Sequence, residues 1–130
     1  MTAYKKHFKK LIDFYDESDE YLQCELVFKE LYNIREACAE RLDVNPEVLL
    51  PNQTVLILAR QRPTNIRQLT GVMTKFSITN PERLVELGSL IVYTIASALA
   101  RFPEEKQALL DGNKKKGKGN VGDNVNDRLK

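Results

Sequence analysis

The chain has 130 residues, of which 42% are hydrophobic and 29% charged, and its formal net charge is +2. This length suits one domain with one core, and the hydrophobic share is too high for a wholly disordered chain. No apolar run approaches the roughly 18–20 residues of a membrane span, and no secretory signal is recognisable, so we expect no membrane partner. One histidine, two cysteines and no tryptophan restrict the enzymatic chemistry.

The first predicted element is an N-terminal helical extension within residues 1–19. Apolar residues recur there at helical spacing with lysines between them, and these residues are Tyr4, Phe8, Leu11, Ile12 and Tyr15. A polar, acidic hinge over 16–20 follows, in which Ser18 or Asp19 is suited to cap the next helix.

The predicted core is a helical domain over residues 20–111. It begins with a long helix over about 20–42, whose expected buried stripe is Phe28, Leu31, Ile34 or Arg35, Cys38 and Leu42. Asn45-Pro46-Glu47 starts a single turn, because it combines a cap, a proline at the first helical position and an acid in the first turn. The chain restarts at Pro51-Asn52, with Val55, Leu56, Leu58 and Ala59 expected to face inward.

Two further helices complete the predicted bundle. A short one begins at a cap at Thr64 and ends by Gly71, which leaves 72–79 as a loop. The last begins at Pro81 and ends near Arg101, since Pro103 breaks it; its expected inward stripe is Leu84, Leu87, Ile91, Ile95, Leu99 and Phe102. We therefore predict an all-α fold, a small single-domain bundle of about five helices with an extra N-terminal helix, and a monomer.

The last segment, 112–130, is predicted to be a disordered tail rich in lysine and glycine. It contains the spacing G-x-x-x-x-G-K, but Gly119 replaces the Ser or Thr that a phosphate loop needs for magnesium. No strand is predicted before it, so we expect no nucleotide cofactor.

Metal chemistry and disulfides are not expected either. His7 has no cysteine or second histidine near it in the sequence, and we interpret it as a surface residue. Cys24 and Cys38 fall on one predicted helix, roughly 21 Å apart along its axis, which is beyond disulfide reach. Isolated thiols suit a reducing, intracellular compartment, and we expect the nucleus, or the cytoplasm if the source is bacterial.

Several segments between residue 26 and about residue 100 form a recognisable series. They are Leu31, Arg35 and Ala39 on the long helix, Asp43-Val44-Asn45-Pro46, Leu50-Pro51-Asn52 with Leu56 and Ala59, Arg62-Pro63-Thr64, Leu69-Thr70-Gly71-Val72, and Glu82, Leu84 and Gly88 on the last helix. The order and spacing of these segments, rather than any one motif, resemble the HRDC domain, the helicase-and-RNase-D C-terminal module.

One segment departs from the pattern of many members of this family. They follow the Gly-Val of the short helix with a tight, glycine-containing hairpin, whereas 72–79 is longer here and has no second glycine. This loop, the proline that opens the last helix and the Leu50-Pro51-Asn52 run look more like the nuclear-exosome and ribonuclease D exonuclease branch than the RecQ helicase branch.

The resemblance implies a non-catalytic accessory module of a larger protein, either a 3'-5' exonuclease or a RecQ-type helicase. We therefore predict phosphate-directed binding of single-stranded RNA or DNA with weak sequence preference. The expected contacts are Arg60, Arg62, Arg67, Lys75, Asn52 and Thr64, with further contacts from the tail through Lys114, Lys115, Lys116 and Lys118. For Asn52, a helix-capping role is the alternative to a phosphate contact.

A protein-docking module within a nucleic-acid-processing complex is the alternative function. Its partner would bind the aromatic-rich N-terminal helix or the apolar residues of the 72–79 loop, which are Met73, Phe76 and Ile78. The two functions differ in salt dependence, because phosphate contacts weaken steeply with salt and an apolar interface does not.

Overall fold

The computed structural model describes residues 3–12, 14–78 and 81–117, and in the last range it describes the side chains of 86–113. Those residues form six helices and no strand: α1 (Ala3–Leu11), α2 (Asp19–Leu42), α3 (Pro46–Leu49), α4 (Asn52–Gln61), α5 (Ile66–Lys75) and α6 (Pro81–Gly117). The prediction of a small all-α bundle with an extra N-terminal helix is confirmed.

Helix α2 is the central element of the bundle, and α1, α3, α4 and α6 all pack against it. Ser18 caps it as predicted, because its hydroxyl accepts a hydrogen bond from the N–H of Tyr21. Phe28, Leu31 and Cys38 are buried, but Leu42 is 55% exposed. The stripe therefore ends one turn before the helix does, and the prediction for Leu42 is wrong.

Helices α3 and α4 begin where the sequence predicts. The side chain of Asn45 accepts a hydrogen bond from the N–H of Glu47, with Pro46 in the first helical position. All four residues expected to face inward from α4 are buried: Val55, Leu56, Leu58 and Ala59.

Helix α5 runs to Lys75, so its predicted end by Gly71 is wrong, as is the first half of the predicted loop over 72–79. Leu69 is buried, and Val72 and Met73 pack half-buried against the same core. These three residues have the helical spacing i, i+3, i+4, and their burial offsets the roughly 1 kcal/mol that a glycine costs within a helix.

Helix α6 passes through Pro103 without ending, which corrects the predicted break at that residue. Phe102 and Leu109, on either side of the exposed proline, are both buried in the core. Lys106 Nζ also lies 2.7 Å from Asp19 Oδ1 on α2. Packing on both sides of Pro103 thus holds the helix together despite the lost N–H.

The inward stripe of α6 is largely as predicted. Ile91, Ile95 and Phe102 are buried and Leu87 and Leu99 are half-buried, while the side chain of Leu84 lies outside the described residues. Gly88 faces α5, where a Cβ would lie in ordinary van der Waals contact with Leu69 Cδ2, at 3.4 Å.

The predicted tail begins too early at 112, because α6 continues to Gly117. Asn113 is part of a polar cluster that joins α1, α2 and α6, and residues 118–130 lie outside the described part of the chain. Lys5 Nζ lies 2.8 Å from Glu25 Oε2 and 2.7 Å from Asn113 Oδ1, and the Asn113 amide donates to Glu25 Oε1. The Tyr4 hydroxyl donates to the same carboxylate, which is fully buried. We call these four residues the Glu25 cluster.

Candidate nucleic-acid interface

Two of the predicted contact residues, Arg60 and Arg62, lie at the C-terminal end of α4, which we call the arginine corner. Arg60 is exposed in the last turn, and Arg62 caps the helix in the left-handed conformation (φ 51°, ψ 58°) with its N–H donating to the Leu58 carbonyl. The next residue is Pro63, which disfavours the right-handed helical conformation at Arg62 and so ends the helix there. Arg62 Nη1 donates to the Ala59 carbonyl at 3.1 Å, which holds the guanidinium beside its own helix end.

Two open grooves meet at this corner. The first, which we call the α5 groove, has a volume of about 520 Å³ and is lined by Gln61, Arg62, Pro63, Thr64, Gln68, Gly71, Val72 and Lys75. The second, the connector groove, has about 470 Å³ and lies between α4 and the segment that joins α1 to α2; it is lined by Ile12, Phe14, Asp16, Ser18, Glu20, Tyr21, Cys24, Arg60, Gln61 and Arg62.

The structure brings together some of the predicted contact residues and separates others. Arg62 lines both grooves, with Arg60 in the connector groove and Lys75 in the α5 groove. Arg67 is exposed on α5 but lines neither groove. The convergent cations are therefore Arg60, Arg62 and Lys75.

Thr64 lines the α5 groove but does not cap α5 as predicted. Its N–H and its hydroxyl both donate to Gln68 Oε1, at 2.8 and 3.1 Å. Asn65 is the N-cap instead, and its side chain accepts from the N–H of Gln68. The Thr64 amide is thus already used within the protein and is not available to a phosphate.

Asn52 takes neither of the two roles considered for it. It is the first residue of α4, where Pro51 occupies the N-cap position without a side-chain cap. Its side-chain oxygen accepts from Arg35 Nη1 at 2.6 Å, and its amide nitrogen lies 3.2 Å from His7 Nδ1. Asn52 is therefore part of the internal packing between α1, α2 and α4 and does not belong to the interface.

Arg35 is the polar residue whose position the sequence left undecided. It is 4% exposed, its guanidinium lies 4.8 Å from the ring centroid of Tyr32, and Nη1 donates to the Leu50 carbonyl at 3.0 Å. The His7 ring stacks on the Tyr32 ring, with 5.4 Å between the two centroids. His7 is therefore half-buried, and its interpretation as a surface residue is wrong. Arg35 thus fixes the turn at Leu50 and is not a contact for a ligand.

The positive charges of Arg60 and Arg62 act on Cys24, which lines the connector groove. Burial raises the pKa of Cys24 to about 11, while the positive charges of Arg62 and Arg60 act in the opposite direction. Burial and the nearby Glu25 carboxylate raise the pKa of Tyr21 to about 12. The side chains of Cys24 and Tyr21 are therefore neutral at physiological pH. The charged side chains that line this groove are Arg60, Arg62, Asp16 and Glu20.

The tail contacts remain predictions. Lys114, Lys115 and Lys116 fall on the last turns of α6, but their side chains, like all of Lys118, lie outside the described residues. In the part of the chain that is described, no group of three or more His, Cys, Asp or Glu side chains is placed to hold a metal ion. No helix there is long and apolar enough to cross a membrane.

The residues predicted to dock a protein partner are mostly used by the domain itself. Tyr4 and Phe8 of α1 are buried in the core, and Met73 and Ile78 pack half-buried against it. Phe76 is 37% exposed.

Comparison with known proteins gives a family match for the middle of the chain. No curated protein and no solved structure matches this chain. Residues 25–87 match the family model described as the HRDC domain, so the resemblance is confirmed over that range, which ends before the expected limit near residue 100. Helices α3 to α5 and most of α2 thus lie in a segment similar to the HRDC domain, a non-catalytic accessory module of nucleic-acid enzymes.

Proposed function

We propose that this protein is an accessory module that binds the phosphates of single-stranded RNA or DNA beside the catalytic domain of an exonuclease or helicase. The observation that supports this most is the placement of Arg62 between two grooves, with Arg60 on one side and Lys75 on the other. A strand that crosses the corner would pass three cations in succession.

The cations of the corner are available to an anion. Arg60, Arg62 and Lys75 form no ion pair with any of the described residues, whereas Arg35 and Arg101 are both paired with carboxylates. Contacts of this kind act on the backbone of the nucleic acid and carry little sequence information. The interface is therefore suited to hold a strand for a neighbouring enzyme rather than to select a sequence.

For the parent protein, we favour the exonuclease branch over the RecQ helicase branch. Two of the features behind this preference stand, namely the Leu50-Pro51-Asn52 run and the proline that opens α6. The third, a long loop over 72–79, is reduced because α5 extends to Lys75.

The test replaces the convergent arginines and uses the outlying one as its control. Binding of a fluorescent ten-nucleotide strand to Arg60→Gln/Arg62→Gln is compared with binding to Arg67→Gln at several salt concentrations. Each lost phosphate contact should flatten the slope of log affinity against log salt by about 0.7 for a single strand. We expect the double variant to lose affinity and slope and the Arg67 variant to resemble the wild type.

The tail lysines require a separate background. Removing 112–130 would also remove Asn113 and break the Glu25 cluster, so the four tail lysines are better changed to glutamine in the full chain. If the double arginine variant binds like its parent in that background, the corner is only a solvated surface and the proposal is wrong.

Protein docking remains the second candidate function, and a different surface supports it. On α6, Tyr93 is 70% exposed and Leu90 is 37% exposed, on the outer side of the bundle. Binding through these residues should change little with salt and should be lost in Tyr93→Ser.

A further inference from the structure

The connector groove has a distribution of charge that the phosphate contacts do not explain. Arg60 and Arg62 line it from the end of α4, while Asp16 and Glu20 line it from the connector and the first turn of α2. Asp16 Oδ1 accepts from the Ser18 N–H, whereas the Glu20 carboxylate makes no hydrogen bond or ion pair with the described residues. An occupant with a negative end and an end that donates hydrogen bonds would match both kinds of charge.

Two aromatic side chains line this groove, one exposed and one buried. Phe14 is 57% exposed, and its ring contacts Tyr21 edge-on at 5.8 Å between centroids. Tyr21 is 8% exposed, and burial raises the pKa of its phenol to about 12, so it carries no charge at neutral pH. Phe14 therefore presents an exposed ring surface beside the charged side chains of the groove.

We infer that the connector groove holds one unstacked nucleotide of a single strand, with its phosphate at Arg60 and Arg62, its base against Phe14 and an exocyclic amino group facing Asp16 and Glu20. This rests on the proposed function and extends it, because it assigns a base-contacting site next to the phosphate contacts. Seven of the ten residues that line this groove lie before residue 25, outside the segment that matches the HRDC domain.

The chemistry of each part fits this occupant. A base that is free of a duplex can stack on an aromatic side chain whatever its sequence, since every base has a π-face. Carboxylates accept hydrogen bonds from the amino group of cytosine, which uracil and thymine lack. The volume of about 470 Å³ is within the range of small-ligand sites. A preference for cytosine over uracil is therefore expected at this position.

The first experiment tests stacking in the full chain. Binding of ten-nucleotide oligocytidine to Phe14→Leu is compared with binding to Tyr93→Leu, an exposed aromatic on α6 that lines neither groove. Loss of one stacked base should weaken binding about fivefold or more in Phe14→Leu, with little change in Tyr93→Leu. Equal affinities for the two variants and the wild type would overturn the inference while leaving the proposed function intact.

The second experiment tests the carboxylates of the groove through the direction of their effect. Glu20→Gln is compared with Glu104→Gln, an exposed carboxylate on α6 without an ion pair to the described residues. We expect Glu20→Gln to reduce the preference for oligocytidine over oligouridine and Glu104→Gln to leave it unchanged. If Glu20→Gln instead strengthens the binding of both strands equally, the carboxylate only repels phosphate and the inference is wrong. If the wild type binds neither strand, both the proposed function and the inference about the connector groove are wrong.

Discussion

Replacing Lys5 by methionine should strongly destabilise the protein. The side chain of Lys5 is 10% exposed and that of Glu25 is 1% exposed, so the variant leaves a carboxylate in the core without its cation. Removing one partner of such a buried pair typically costs about 3–5 kcal/mol. This is a large part of the roughly 5–15 kcal/mol by which a domain of this kind is stable.

A double-mutant cycle measures how much of that cost belongs to the pair. Lys5→Met, Glu25→Gln and the double variant are unfolded in urea and followed by circular dichroism at 222 nm. The double variant should be more stable than Lys5→Met, because the neutral amide that replaces the carboxylate needs no cation. Its oxygen can accept from the Asn113 amide while its NH2 group donates to the Tyr4 hydroxyl oxygen. A loss below about 1 kcal/mol in Lys5→Met would show that the Glu25 cluster is not formed as described.

Three further predictions concern the core, the long helix and the response to alkali. Leu31→Ala should cost about 2–5 kcal/mol in urea unfolding, whereas Leu42→Ala should stay within about 0.5 kcal/mol; equal losses would contradict the exposure of Leu42. Pro103→Ala should raise stability by roughly 1–3 kcal/mol, because it restores a helical N–H, and a lower stability would show that the proline has a native role. Burial raises the pKa of Cys24 to about 11 and that of Tyr21 to about 12, so the folded state holds these protons longer than the unfolded state. Stability should therefore fall as the pH rises from about 9 towards 12, and Tyr21→Phe should make this fall less steep in pH-dependent thermal melts.

Helix starts could be predicted closely from the sequence, and helix ends could not. Starts depend on local chemistry, and Ser18 and Asn45 cap α2 and α3 through their own side chains. Ends depend on whether packing continues, as it does beyond Gly71 and Pro103, where buried residues of the same helix follow the expected breaker. Local propensity was overridden there by contacts with distant parts of the chain.

The candidate site was predictable in part for a similar reason. Arg60 and Arg62 converge because they are neighbours on one helix end, and Lys75 joins them through the length of α5. The capping roles considered for Asn52 and Thr64 are wrong, because Pro51 and Asn65 hold the N-cap positions. The Asn52 side chain and the Thr64 N–H bond to Arg35 and Gln68 instead, and a sequence pattern does not reveal such partners. Phe14 was not among the site residues predicted from the sequence, although it lines the connector groove.

The Glu25 cluster also has a consequence for the order in which the chain folds and opens. Lys5 and Asn113 are separated by 108 positions, so their contact closes almost the whole domain. Contacts of such long range carry a large loop-closure cost and form after the local helices are in place. Interactions that form late mainly set the rate of unfolding. The Glu25 cluster thus stabilises the native state mainly by slowing its unfolding, and its loss should accelerate unfolding far more than it slows refolding.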